Sequence, residues 1–210
     1  MLQSLPESIG ALTSLKRLSL ACSLTTGNKV LQELPASFAT LTALEELYLD
    51  KCKVLRNLPV GPWKRLRILQ MRECKSITAL PECIGELISL KEWNMSKCIA
   101  LMLLPESVGQ LQSLEDLTLS KCKSLRSLPP TLGQCSSMVW LDVRGCKRLT
   151  ELPPSFSQTP LRVLDLGQCK ALHTKIPNIV SLQELRINWV VSMDLIPSEL
   201  HDRVVMIESG

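Results

Sequence analysis

Nine cysteines and two histidines are the residues of this 210-residue chain best equipped for chemistry, so their spacing decides what chemistry is open to it. Six of the cysteines, Cys52, Cys74, Cys98, Cys122, Cys146 and Cys169, recur every 22–24 residues. Zinc sites hold their ligands in close pairs such as CxxC, whereas the nearest pair here is Cys74 and Cys83. The other cysteines, Cys22, Cys83 and Cys135, have no histidine in their own stretch, and His173 and His201 near the C-terminal end assemble no triad with them. The chain contains neither GxxxxGK[ST] nor GxGxxG, the backbone cradles for phosphates. These residues point away from an enzyme, and they imply no cofactor and no metal.

Two further sets recur in the same rhythm. Lysines follow the cysteines at Lys53, Lys75, Lys123, Lys147 and Lys170, with Lys51, Lys97 and Lys121 just before them. Stacked ammonium groups would form a basic rim, fit either for solvent or for an acidic protein or phosphate ligand. The aromatics number only seven, or 3%, while leucine makes up roughly a fifth of the chain. Compact cores draw much of their buried area from aromatic rings, so a leucine core of this kind implies one slot shape filled repeatedly.

The elements that must position these residues come from a repeat. Prolines of Leu-Pro or Ile-Pro pairs fall at Pro81, Pro105, Pro129, Pro153 and Pro177, each 24 residues after the last, with Pro6, Pro35, Pro59 and Pro197 in looser register. In phase with them run LKRLSL, LEELYL, LRILQM, LKEWNM, LEDLTL, MVWLDV, LRVLDL and LQELRI. The end of each LxxLxL alternates apolar and polar, which predicts a short strand with one buried face. The Pro-Ser-Gly half breaks strand pairing and predicts a turn or short helical piece. One coil cannot bury its own leucines; stacking eight coils into a parallel sheet gives them a continuous core. The compact strand side is then concave and the Pro-Ile-Gly side convex.

In that stack the six cysteines form an inward ladder, their thiols within reach of neighbouring backbone carbonyls. Cys135 takes a core slot and Cys83 a small-residue slot on the convex side, while Cys22, ahead of a slot filled by Ser23, is the exposed thiol. The positions between the leucines face outward on the concave side. One such column reads Arg17, Glu46, Ile68, Glu92, Asp116, Trp140, Val163, Glu184; the next reads Ser19, Tyr48, Gln70, Asn94, Thr118, Asp142, Asp165, Arg186. Tyr48, Trp140 and Trp189 fall on outward slots, and Trp63, Trp93, Phe38 and Phe156 on core slots. Aromatics and arginines on an exposed face are the usual anchors of protein recognition. The candidate partner-binding residues are Tyr48, Gln70, Arg72, Asn94, Asp116, Trp140, Asp142, Arg144, Asp165, Arg186 and Trp189, flanked by the basic rim.

The unit LPxSIGxLxSLxxLxLxxCxxLxx resembles a leucine-rich repeat, from Leu2 to about Pro197. Its cysteine in the slot usually held by asparagine, and units such as CKSLRSLPPTLG and LPESVGQLQSLEDLTLSKC, are similar to the repeat domains of plant intracellular nucleotide-binding disease-resistance proteins. The resemblance implies an α/β leucine-rich-repeat horseshoe of about eight 24-residue coils, with its parallel sheet on the concave face. It implies a cytoplasmic protein–protein recognition module in plant defence signal transduction. Such a module senses an effector or host protein, or makes an autoinhibitory contact with upstream switch domains of a longer parent. A Ras-group repeat scaffold shares the LPxxIG half, and a ligand-sensing ubiquitin-ligase adaptor is a further alternative.

Composition agrees with a folded, non-membrane chain. Hydrophobic residues reach 45% and charged ones 21%, too apolar for disorder, and the longest apolar run, Ile99 to Leu104, is far short of a membrane span. A net charge of +4 spread along the chain does not call for nucleic acid. MLQSLPESIG lacks the pattern of a secretory signal, which with the nine cysteines suggests reduced thiols in a cytosol-like compartment. Residues 1–197 are expected to form the repeat domain. Residues 198–210 are expected to form a tail or partial cap, whose short helix would cover the last coil. The excess at Thr25 to Val30 predicts a bulging loop, and LPVGPWKRL, which lacks its SIG, predicts that Trp63 fills the vacancy. The start at Leu2-Gln3-Ser4-Leu5-Pro6, in mid-repeat, suggests a fragment or a truncated gene product.

Overall fold

A computed structural model describes residues 3–21 and 27–207. Among these residues, nine short strands form one parallel sheet in sequence order. They are β1 (Arg17–Ser19), β2 (Glu46–Tyr48), β3 (Ile68–Gln70), β4 (Glu92–Asn94), β5 (Asp116–Thr118), β6 (Trp140–Asp142), β7 (Val163–Asp165), β8 (Glu184–Ile187) and β9 (Val204–Met206). The first eight are the LxxLxL segments, and each centres on one inward residue. Leu18, Leu47, Leu69, Trp93, Leu117, Leu141, Leu164 and Leu185 pair in a single row. A strand of three residues makes little stability on its own; stacking joins the row into one buried core running the length of the solenoid.

The other half of the coil is a single turn of 3₁₀ helix. Such turns span Glu7–Ala11, Ala36–Thr40, Glu82–Glu86, Glu106–Gln110, Pro130–Gln134 and Pro154–Gln158. A proline precedes each, with φ between −72° and −58°, so its ring presets the entry into the turn. The recurrent glycine serves close approach rather than unusual backbone angles. A Cβ added to Gly109 would lie 2.5 Å from the carbonyl oxygen of Thr131 in the next coil.

The coil at Leu58 has no 3₁₀ turn, and Trp63 fills the space as its sequence suggests. Its ring is fully buried and meets Phe38 edge-on at 5.7 Å and 78°. The tail departs from expectation in one respect. A 3₁₀ helix does form over Ser198–Arg203, but it leads into β9, which extends the sheet by pairing Val204 with Leu185.

Of the expected bulge at Thr25 to Val30, the described part, Gly27 to Val30, belongs to the coil itself, and Thr25 and Thr26 lie outside the described residues. Asn28 bridges to Cys52, so Asn28 takes the ladder position in the first coil and GNKVL aligns with KCKVL. Cys22 and Ser23, one read as an exposed thiol and the other as its neighbour in the ladder slot, lie outside the described residues. Asn28 is buried, and its Oδ1 accepts the backbone N–H groups of Val30 at 2.8 Å and Leu31 at 2.9 Å. That side chain holds its own turn, whereas the ladder cysteines direct their thiols to the preceding coil.

Candidate functional site

The outward columns are laid down by strand register. Arg17, Glu46, Ile68, Glu92, Asp116, Trp140, Val163 and Glu184 stand side by side, as do Ser19, Tyr48, Gln70, Asn94, Thr118, Asp142, Asp165 and Arg186. β9 adds Val205 beside Arg186, a continuation of the second column that the fading repeat pattern conceals.

Two clusters organise this face. Near the N-terminal end, Arg17 pairs with Glu46 at 2.9 Å and lies over the Tyr48 ring, 5.1 Å from its centroid. The Tyr48 hydroxyl donates to Glu46 at 2.8 Å and accepts from Arg17 at 3.2 Å. Burial and the hydrogen bond to Glu46 raise the phenol above its ordinary range, against the opposing pull of Arg17. Toward the C-terminal end, Arg186 stacks on Trp140 with 4.8 Å to the ring centroid and donates to Glu184 at 2.7 Å. Between the stacked partners lies β7, with Val163 beside Trp140 and Asp165 beside Arg186.

The two aspartates of that region turn back on their own backbone. Asp142 accepts the N–H of Arg144 at 2.8 Å, and Asp165 accepts that of Gly167 at 2.9 Å. Burial, and the charge of neighbouring Asp165, push the Asp142 carboxyl up to about 6, although the Arg144 N–H opposes this. Burial also raises Asp165, which is only 6% exposed. Asp165 therefore shapes the face from beneath rather than standing on it. Gln70, Asn94, Asp116, Asp142 and Arg144 are half-buried, Arg72 is exposed, and the Asn94 amide oxygen is engaged by the Ser96 hydroxyl at 2.6 Å. Trp189 is 82% exposed, but it lies in the turn beyond β8, apart from the columns.

The rim has a regularity that residue types alone do not reveal. The residue before each ladder cysteine is left-handed, with φ from 59° to 63° at Lys51, Glu73, Lys97, Lys121 and Gln168, and 74° at Gly145. This conformation aims the N–H of Lys51, Glu73, Lys97, Lys121 and Gly145 at a carbonyl of the following coil, at 2.6–2.8 Å. Glu73 interrupts the lysine edge; it pairs with Lys97 at 3.1 Å, and that hydrogen bond holds its carboxyl below the usual range. Lys123, Lys147 and Lys170 are exposed, whereas Lys53 and Lys75 are half-buried.

The cysteines behave as packing residues. Cys74, Cys98, Cys122, Cys146 and Cys169 donate their thiols to carbonyls of the preceding coil at 3.1–3.2 Å, namely Leu49, Met71, Met95, Leu119 and Val143. Burial raises all five thiols, Cys122 and Cys169 to about 12, which leaves no thiolate at neutral pH. Cys135 is buried and donates to Val108 at 3.2 Å; Cys83 is half-buried on the convex side. His173 and His201 each engage a backbone carbonyl at 3.0 Å. Among the described residues, no group of three or more histidine, cysteine, aspartate or glutamate side chains is placed to hold a metal. No helix there is long and apolar enough to cross a membrane.

A stack of similar coils, each giving one strand to an open parallel sheet and most giving one 3₁₀ turn to the opposite side, defines a leucine-rich-repeat fold. Its particular likenesses are to the following proteins. The chain is 39% identical over 92 residues to the disease resistance-like protein DSC1 of Arabidopsis thaliana, a match covering 41% of this chain and 7% of that protein. The leucine-rich-repeat domain of the type III effector XopL superposes with a TM-score of 0.77 at 26% identity, over 98% of this chain and 72% of that one. The Arabidopsis receptor kinase HAESA, solved with the peptide hormone IDA and the co-receptor SERK1, shares the fold with a TM-score of 0.58 at 21% identity, over 88% and 37% of the two chains. No family model matches the chain.

Proposed function

We propose that this chain is a non-catalytic recognition module that binds a protein partner on its concave face, in the cytoplasm of a plant cell and in the service of defence. The observation that carries the reading is the concave pair of aromatic–arginine clusters, Arg17 with Tyr48 and Arg186 with Trp140. Both sit on an open sheet whose backbone is fixed by the core behind it, so large side chains are held ready with little ordering left to do on binding. The defence assignment draws on the likeness to DSC1, and on that basis the partner is an effector, a host protein, or a switch domain of a longer parent.

The test is binding of the purified chain to a panel of plant-pathogen effectors and their host targets. At least one partner is expected to lose about tenfold or more in affinity with Trp140→Ala or Tyr48→Ala, while circular dichroism stays unchanged. Partners that bind both variants as well as the unsubstituted chain would remove the concave face from the site.

A further inference from the structure

Between the two clusters lies a cup walled by Glu92, Asp116 and Trp140, with Gln70, Asn94 and Thr118 around it. Register sets Glu92 beside Asp116 and Asp116 beside Trp140, so the carboxylates and the ring stand on successive strands about 4.8 Å apart. At both flanks the acidic residues of this column are neutralised, Glu46 by Arg17 and Glu184 by Arg186. Among the described residues, Glu92 and Asp116 make no ion pair. Two adjacent carboxylates without a counter-charge repel each other, and burial together with Glu115 already holds Asp116 above its ordinary range.

The ring supplies a second and independent indication. Trp140 has Arg186, from β8, over its face, and it also lines the cup formed by β3 to β5. The protein's own guanidinium thus shows what the indole accepts in this setting: a cation held by the negative potential of the ring. Three or more converging acidic or imidazole ligands would suit a divalent ion, and no such group is gathered among the described residues. Two carboxylates, an indole wall and the amide and hydroxyl side chains of Gln70, Asn94 and Thr118 instead suit a planar cation that carries several donors on an apolar stem.

We propose that this cup is the seat for an arginine side chain of the partner polypeptide. Its guanidinium bridges Glu92 and Asp116, and its stem lies against Trp140. The proposal rests on the concave recognition reading, and it specifies the partner's chemistry: a basic residue presented on an exposed segment. Lysine would gain the charge interaction but lose the fork, so it binds the same cup more weakly.

The probe is acetyl-Gly-Arg-Gly-amide, a single cation with neutral ends, titrated into the ¹⁵N-labelled full chain. The indole N–H resonance of Trp140 serves as reporter and is assigned with Trp140→Phe. A saturable shift is expected with the arginine peptide, smaller with the lysine peptide and absent with the glutamine peptide. In Glu92→Gln/Asp116→Asn the affinity should fall about tenfold or more. Glu92→Gln alone, at an exposed position, gives an intermediate loss and guards against a folding defect in the double variant. Equal shifts from the arginine and glutamine peptides, or undiminished affinity in the double variant, would overturn the proposal. A concave-face protein partner unaffected by the double variant would overturn it and leave the recognition reading intact. Saturable arginine binding without any concave-face partner would uphold the cup and remove the recognition reading.

Discussion

The guanidinium of Arg186 on β8 reaches across β7 to lie over the indole of Trp140 on β6, 4.8 Å from its centroid. The two residues are neighbours only because the coils are stacked in strict register. Arg186 also donates to Glu184 at 2.7 Å, which fixes the head group as the ring fixes its plane. A cation–π contact of this partly exposed kind is worth about 0.5–1 kcal/mol. A double-mutant cycle with Trp140→Ala and Arg186→Ala, followed by urea unfolding, should return a coupling of about that size. Additive single effects would mean that the stack contributes nothing.

Asp142 makes stability depend on pH in the direction opposite to that of a salt-bridged carboxylate. Its carboxyl titrates at about 6 in the folded chain, against an ordinary value of 3.8. Between those values the native state holds the proton that the unfolded state has released. Stability is therefore greatest below the unfolded value and declines as pH rises through about 6. Asp142→Asn keeps an oxygen for the Arg144 N–H and removes the charge. It should stabilise the chain at pH 7 by about 1–2 kcal/mol after allowance for solvent screening, and flatten the decline. Unfolding curves from pH 4 to 8 for the two proteins make the comparison.

Thiol reactivity separates the ladder from the convex side. Ladder cysteines are buried and hydrogen-bonded to carbonyls, while Cys83 is half-buried. Under native conditions iodoacetamide should modify Cys83 well before Cys122, and the ladder should react only on unfolding. Peptide mapping that finds Cys122 labelled at the rate of Cys83 would contradict the packing assigned to it.

The left-handed residues offer a paired test of backbone strain. Lys121 has φ 60° and Gly145, at the same place in the next coil, has φ 74°. Relief of the Cβ clash outweighs the added freedom of the unfolded chain, so Lys121→Gly should stabilise by about 0.5–1 kcal/mol. Gly145→Ala should destabilise by a similar amount; its new Cβ would also meet Cγ of Lys121 at 3.1 Å. Thermal or urea unfolding of both variants checks the opposite signs.

The parts of the fold that were readable in the sequence are those set by single residues repeating at one spacing. The leucine row, the cysteine ladder, the outward columns and the burial of Trp63 and Trp93 are of this kind, because period and polarity alone place them. What escaped depends on relations between coils. Asn28 was hidden because five surplus residues shift it out of phase, although GNKVL against KCKVL carries the signal. β9 was hidden because VVM lacks the leucines that mark its predecessors. Asp165 sits on an outward slot yet is buried beneath its neighbours, and Glu73 breaks the lysine edge; neither follows from the repeat pattern. The recurrent glycine is visible in the repeat as a type, but the carbonyl of the next coil that demands it is not.

The coils of Cys74, Cys98, Cys122 and Cys146 are each tied in two directions: the rim N–H donates forward, and the ladder thiol donates back. Donor and acceptor lie at equivalent places in these coils, so excising 24 residues between matching positions, such as Pro105 and Pro129, brings together ends that make the same two bonds again. The number of coils is thereby uncoupled from the integrity of any one of them. Lineages carrying such a chain can lengthen or shorten it by whole units, and can move a binding cluster along the arc, without redesigning a core.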